Sequence, residues 1–99
     1  MITTAMGLVA TQPQYQNGVL SFRFAQTFAD ELTPPNWFTI IARGSLAERA
    51  EQLIEKGQRI IVVGTLRIRD WDNGQVSGTS MEIHADTMGH DLTYKNGGN

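Results

Sequence analysis

One stretch of this 99-residue chain carries a helical period, SLAERAEQLIEKG at residues 45–57. Its place among runs of two-residue alternation narrows the folds open to the chain. Leu46, Ala50, Leu53 and Ile54 fall on one face, Ser45 and Glu48 have capping-box spacing, and Lys56 followed by Gly57 supplies a terminal cation and a left-handed stop. The spacing predicts an amphipathic helix of roughly three turns. Strands are predicted over residues 2–9, 19–25 after the Asn17-Gly18 turn, 37–43 after Pro34-Pro35, 58–71, and 78–86 after Asn73-Gly74. So little helix leaves the edges of an open sheet uncovered, and closing the sheet on itself removes them. Three strands, a helix and two strands is the order of a mainly β, five-stranded OB-fold barrel with its helix between strands three and four. An SH3-like or other small barrel is the competing architecture, and it has no need of a capped central helix.

The phase of each strand separates a core face from an outer face. Leu20, Phe22 and Phe24 alternate with Ser21 and Arg23. Phe38, Ile40 and Ala42 alternate with Trp37, Thr39 and Arg43, and Thr79, Met81, Ile83 and Ala85 alternate with Ser80, Glu82 and His84. In LRIRDWDNGQ, residues 66–75, the same parity sets Leu66, Ile68 and Asp70 on one face and Arg67, Arg69 and Trp71 on the other. Both tryptophans thus side with arginines, away from the core. A bulge or a one-residue slip near the Asp-Asn-Gly turn would return Trp71 to the core, and Ile41 blurs the outer face around Trp37.

Ninety-nine residues support one domain with one core. The absence of cysteine excludes disulfides and thiolate metal sites, and no run approaches the roughly 20 apolar residues of a membrane span. The amino terminus, MITTAMGLVA, lacks a signal-peptide pattern, so a soluble cytoplasmic protein with no membrane attachment is expected. A formal charge of -2 is unusual for a nucleic-acid binder. Its distribution is not, because Arg23, Arg43, Arg59, Arg67 and Arg69 fall in predicted strands, while Glu48, Glu51 and Glu55 share the helix and Asp30 and Glu31 a loop. That sorting allows a locally positive sheet on an acidic protein, although ordinary solvated surface charge gives the same counts.

With these elements in place, the chain resembles the bacterial single-stranded DNA-binding proteins. The match is carried by NWFTIIARGSLAERAEQLIEKGQRIIVVGTLRIRDWDNGQ, residues 36–75, with weaker echoes in MGLVATQP and MGHDL. Its short loops and ending are similar to the short secondary members of that family. The resemblance implies that Trp37 and Trp71 are positions on which bases stack and that Arg67 and Arg69 lie along the DNA path. It also implies a homotetramer whose amino-terminal strands pair across a dimer interface. Phe28 is the counterpart of a third stacking position, in a region shortened here. Arg43 replaces an aromatic common in the family, and its parity puts its guanidinium on the path with Arg23. The family's acidic carboxy-terminal tip, which recruits other replication and repair proteins, has no counterpart in the closing YKNGGN, so protein partners stay open. The organisation implied is a single-stranded DNA-binding domain over residues 1–92 and a short flexible tail over 93–99. The protein would be nucleoid-associated when bound, acting in replication, repair or recombination.

Indole and guanidinium suit that chemistry. An indole stacks on any base face without reading its identity, and arginine attracts phosphate and stacks through its planar group. Two alternatives remain from the residues alone: an oligosaccharide-binding barrel, favoured by Asp70, Asp72 and Asn73 beside Trp71, and a primosome-type protein-interaction module. An enzyme is not expected, since the chain has no P-loop, HExxH, G-x-S-x-G or cysteine nucleophile. His84 and His90 have no third ligand at metal spacing and read as surface or satisfied histidines, so no metal or cofactor is expected.

Overall fold

The computed structural model describes residues 1–28, 30 and 32–95, so the expectations for Glu31 and for residues 96–99 lie outside the described residues. Its elements run β1 (Ile2–Val9), β2 (Gln14–Gln16), β3 (Val19–Gln26), β4 (Asn36–Arg43), α1 (Gly44–Leu53), β5 (Arg59–Asp72) and β6 (Ser77–His90). Pairing follows β1-β5-β6-β4-β3, and β1 meets β3 again at Leu8 with Ala25 and Val9 with Phe24. Five strands therefore close into a ring with α1 between its third and fourth members, the OB arrangement. The short β2 hangs on β3 through a two-residue hairpin. Asn17 at φ 55° and Gly18 at φ 78° give the left-handed pair that this turn requires.

The expected phases hold inside the barrel. Val9, Leu20, Phe24, Ile40, Ile60, Val62 and Ile83 are fully buried at its centre, with Ala5, Phe22, Phe38, Ala42, Ala47, Ala50 and Ile54 completing the core. Each large apolar side chain withdrawn from water contributes roughly 1.5–3 kcal/mol. Gly7 and Gly64 let strands approach where the ring is tightest, since a Cβ at either would fall 2.2 Å from a carbonyl oxygen of the neighbouring strand.

The helix departs from expectation at both ends. It starts at Gly44, whose φ of 66° turns the chain out of β4, and Arg43 occupies the cap position in extended geometry with no side-chain cap hydrogen bond. Ser45 therefore lies inside the first turn, and the Ser45/Glu48 capping box is not the cap. At the other end Ile54 leaves the helix to enter the core, and the Lys56-Gly57 pair belongs to the following turn, where the Gly57 amide donates to Val9 O at 2.8 Å. Tertiary docking ends this helix before its sequence stop does. Ala47 and Ala50 form its buried contact, whereas Leu53, expected on that face, is 60% exposed.

The last strand also runs further than expected, to His90. Gly64 pairs with Ala85 and Val63 with Thr87, so Asp86 is an extra residue in β6 and the inward parity there changes from Ile83 and Ala85 to Met88. Beyond it the chain turns at Asp91, whose buried carboxylate accepts from the Thr93 hydroxyl at 2.6 Å and amide at 2.9 Å. Those two donors hold its pKa below the usual carboxylate range. Among the described residues no helix is long and apolar enough to cross a membrane.

Candidate nucleic-acid interface

The bulge falls on β6, so the alternation of β5 continues unbroken to its tip. Trp71 pairs with Gly78 on the outer face, as its parity with Arg67 and Arg69 required. Register then assembles a row across four strands: Arg23 on β3, Thr39 on β4, Glu82 on β6 and Arg67 on β5. A second row holds Ser21, Ile41, His84 and Thr65. Trp37 stands two residues before Thr39, and Arg43 four residues after it, on the same side of β4. Six of the expected residues, Arg23, Trp37, Arg43, Arg67, Arg69 and Trp71, thus share one curved surface.

The two indoles are held differently, and each is 45% exposed. The Arg23 guanidinium lies 5.5 Å from the Trp37 ring centroid and donates to Thr39 Oγ1 at 3.0 Å, covering one ring face. Trp71 lies over Gly78, where a Cβ would fall 2.6 Å from the indole Cζ2. A glycine at the opposite register position is what lets the indole lie on the strand. Sequence reading missed Gly78, because nothing marks it until the cross-strand partner of Trp71 is known.

The acids near Trp71 are committed elsewhere. Asp70 has the opposite parity and accepts from Thr79 Oγ1 at 3.1 Å, while Asp72 Oδ1 accepts the Gly74 amide in the hairpin turn at 2.7 Å. Glu82 alone brings a carboxylate into the arginine row, where its Oε1 lies 3.4 Å from Arg69 Nη2 and 3.1 Å from His84 Nε2. The other imidazole nitrogen, His84 Nδ1, is 3.2 Å from Arg43 Nη1. His90 is engaged away from this surface, its Nε2 donating to Leu53 O at 3.0 Å behind the helix.

Phe28 is not gathered with the two tryptophans. It lies beyond the end of β3 in a groove with Thr4, Met6, Arg59 and Ile61, on the outward side of β1 and β5. What the six other residues form is a surface of four guanidinium groups interleaved with two half-exposed aromatic planes, with no enclosed cavity and one central carboxylate. Such a surface suits an extended polyanion with flat rings.

Comparison with known proteins agrees. Residues 4–91 match the Single-strand binding protein family. Single-stranded DNA-binding protein 2 of Tropheryma whipplei is 36% identical, over 92% of this chain and 68% of its own length. Single-stranded DNA-binding protein 1 of Streptomyces coelicolor is 37% identical over 89% of this chain and 64% of its own length. Among solved structures, the small single-stranded DNA-binding protein of Streptomyces coelicolor superposes with a TM-score of 0.85 at 31% identity, covering 94% of this chain and 95% of that one. The second single-stranded DNA-binding protein of Mycobacterium smegmatis gives 0.74 at 26% identity, with coverage of 94% and 90%. With its ring of five strands, its single inserted helix and a match over nearly its whole length, the chain belongs to the single-strand binding protein family.

Proposed function

We propose that the protein binds single-stranded DNA without sequence preference, bases stacking on Trp37 and Trp71 while Arg23, Arg43, Arg67 and Arg69 meet phosphates. The observation that carries this reading is the shared outer face: two half-exposed indoles with guanidinium groups before and between them along the sheet. A base on the free side of Trp37 leaves the Arg23 contact intact, and one on the other side replaces a cation–π contact of about 0.5–1 kcal/mol with a stack of about 1–3 kcal/mol. Phe28, in its own groove, would be reached by a strand that runs on from Trp37 past the end of β3. The hydrogen-bonded state of Asp70 and Asp72 weighs against a sugar site, which needs free acceptors beside the ring.

Two stacks on one protomer barely offset the estimated 4–15 kcal/mol of lost freedom on association, so tight binding needs several protomers on one strand. A homotetramer provides them. Ile2 and Met6 are exposed along the outward side of β1, next to Ile61, and assembly would remove that apolar surface from water. The protein would then act in replication, repair or recombination, in the cytoplasm and on the nucleoid.

Tryptophan fluorescence titrated with oligo-dT, a matched duplex and an acidic polysaccharide tests the reading, with light scattering on the same samples. Quenching is expected to follow the single strand on an oligomer. Equal affinity for duplex, or quenching by polysaccharide alone, would refute it, and an 11.0 kDa monomer that binds tightly would refute the assembly.

Gly78→Ala is a sharper probe of the stacking platform. The three atoms nearest the new Cβ all belong to the indole of Trp71, a half-exposed side chain that can turn aside where a backbone atom could not, so thermal stability should move little. Affinity for oligo-dT should fall about fivefold as a stack worth about 1 kcal/mol is lost. Unchanged affinity would show that Trp71 does not need this platform to receive a base.

A further inference from the structure

His84 sits at the centre of the arginine surface, between Arg43 on the neighbouring β4 and Glu82 on its own strand, and its two ring nitrogens are both engaged. We propose that His84 is a positioning residue for Arg43, holding the guanidinium while the ring is neutral and releasing it when the ring is protonated, so that affinity for single-stranded DNA rises as pH falls. The inference rests on the single-strand reading of this surface.

The geometry fixes the proton. A guanidinium only donates, so at 3.2 Å from Arg43 Nη1 the Nδ1 atom must be the acceptor. The hydrogen of the neutral ring is then on Nε2, which donates to Glu82 Oε1 at 3.1 Å. In this state Arg43 is tied to the sheet and the ring carries no charge. A protonated ring has no acceptor left. It keeps its bond to Glu82, loses the one to Arg43, and sets two cations side by side, which drives the guanidinium outward.

The remaining charged groups do not cancel the effect. Glu82 is the acid in contact, and it also pairs with Arg69 at 3.4 Å. Arg67 from β5 stands opposite Glu82 in register, Thr65 stands opposite His84, and Asp86 follows two residues later at the bulge. On the β4 side Ile41 is the register partner of His84, and Arg23 reaches Thr39 one row away. A phosphate brought to this surface favours the protonated ring, and by reciprocity the protonated ring favours the phosphate. Histidine is the side chain suited to such a change within the physiological range.

The test uses oligo-dT, whose bases do not titrate over the range, at pH 5.5 and pH 8.0 across a salt series. One added phosphate contact per engaged protomer steepens the log-log salt slope by about 0.7, which at 0.1 M salt is about fivefold in affinity. The native protein should show that gain at the lower pH. His84→Gln, whose amide can accept from Arg43 and donate to Glu82 without titrating, should bind equally at both. Ring-proton NMR of the native protein provides a measurement that needs no variant. The His84 titration should move to higher pH when oligo-dT is bound, with His90 as the internal reference. Binding of equal affinity and slope at both pH values, a pH dependence that survives His84→Gln, or a His84 titration unmoved by bound oligo-dT would each overturn the inference. No binding at either pH would overturn the single-strand reading and the inference with it.

Discussion

Replacing Trp37 and Trp71 together with alanine is expected to weaken oligo-dT binding by about 30- to 20,000-fold, the sum of two stacks at about 1–3 kcal/mol each. The fold should survive. Each indole keeps 45% of its surface exposed, and Trp71 stands near the tip of the β5–β6 hairpin, outside the barrel core. Stability should therefore drop by less than about 2 kcal/mol per substitution, against the roughly 3–5 kcal/mol that a core aromatic costs. Thermal melts run beside binding isotherms separate the two. A double variant that unfolds, or one that still binds at native strength, would show that these rings serve the core and not the strand.

Gly64→Ala should have the largest effect on stability, and of unusual sign. At an unstrained strand position, adding a methyl to glycine stabilises by about 0.4–1 kcal/mol through the unfolded chain. Here the methyl would lie 2.2 Å from His84 O and 2.8 Å from Ala85 Cα, both backbone atoms of β6 beside the bulge. Neither can rotate away. The strands must separate, at a cost of roughly 3 kcal/mol, which for a domain of this size lowers Tm by about 12–24 °C. Circular dichroism melts read it directly, and a Tm at or above that of the native protein would mean that β5 and β6 are not packed this closely. Because the same strand carries Glu82 and His84, any folded fraction should also bind oligo-dT less well.

The outer face was legible in the sequence wherever one face of a strand is buried, because period-two alternation then fixes direction. That is why Arg23, Trp37, Arg43, Arg67, Arg69 and Trp71 could be placed on one side. Trp71 depended on where the bulge falls, and the extra residue proved to be Asp86 on the partner strand. Helix ends were less legible. Ser45 and Glu48 have cap spacing, but the positive φ of Gly44 starts the helix a residue earlier, and Ile54 leaves it for the core. The three residues of β2 carry too little apolar signal to announce a strand. Gly78 and the Arg43–His84–Glu82 contacts could not be read at all, since they arise from the antiparallel register of β5 with β6 and the parallel pairing of β4 with β6. Local sequence does not encode which strands become neighbours.

The place of β6 in the ring has a consequence for the order in which the molecule can be made. It alone joins β5 to β4, and it is the last strand among the described residues. While the chain is being synthesised, β4 and β5 each keep an open edge until residues 77–90 have emerged from the ribosome, with Ile40 on one and Ile60 and Val62 on the other. Closure then joins partners far apart in sequence, Thr39 with Glu82 and Ile41 with His84, and non-local pairing of this kind is slow compared with helix formation. The nascent chain thus passes through a stage in which unpaired edges can template association with other chains. The strand that ends this stage also delivers Gly78, Glu82 and His84, so a chain released early lacks its closed core and the middle of its outer surface together.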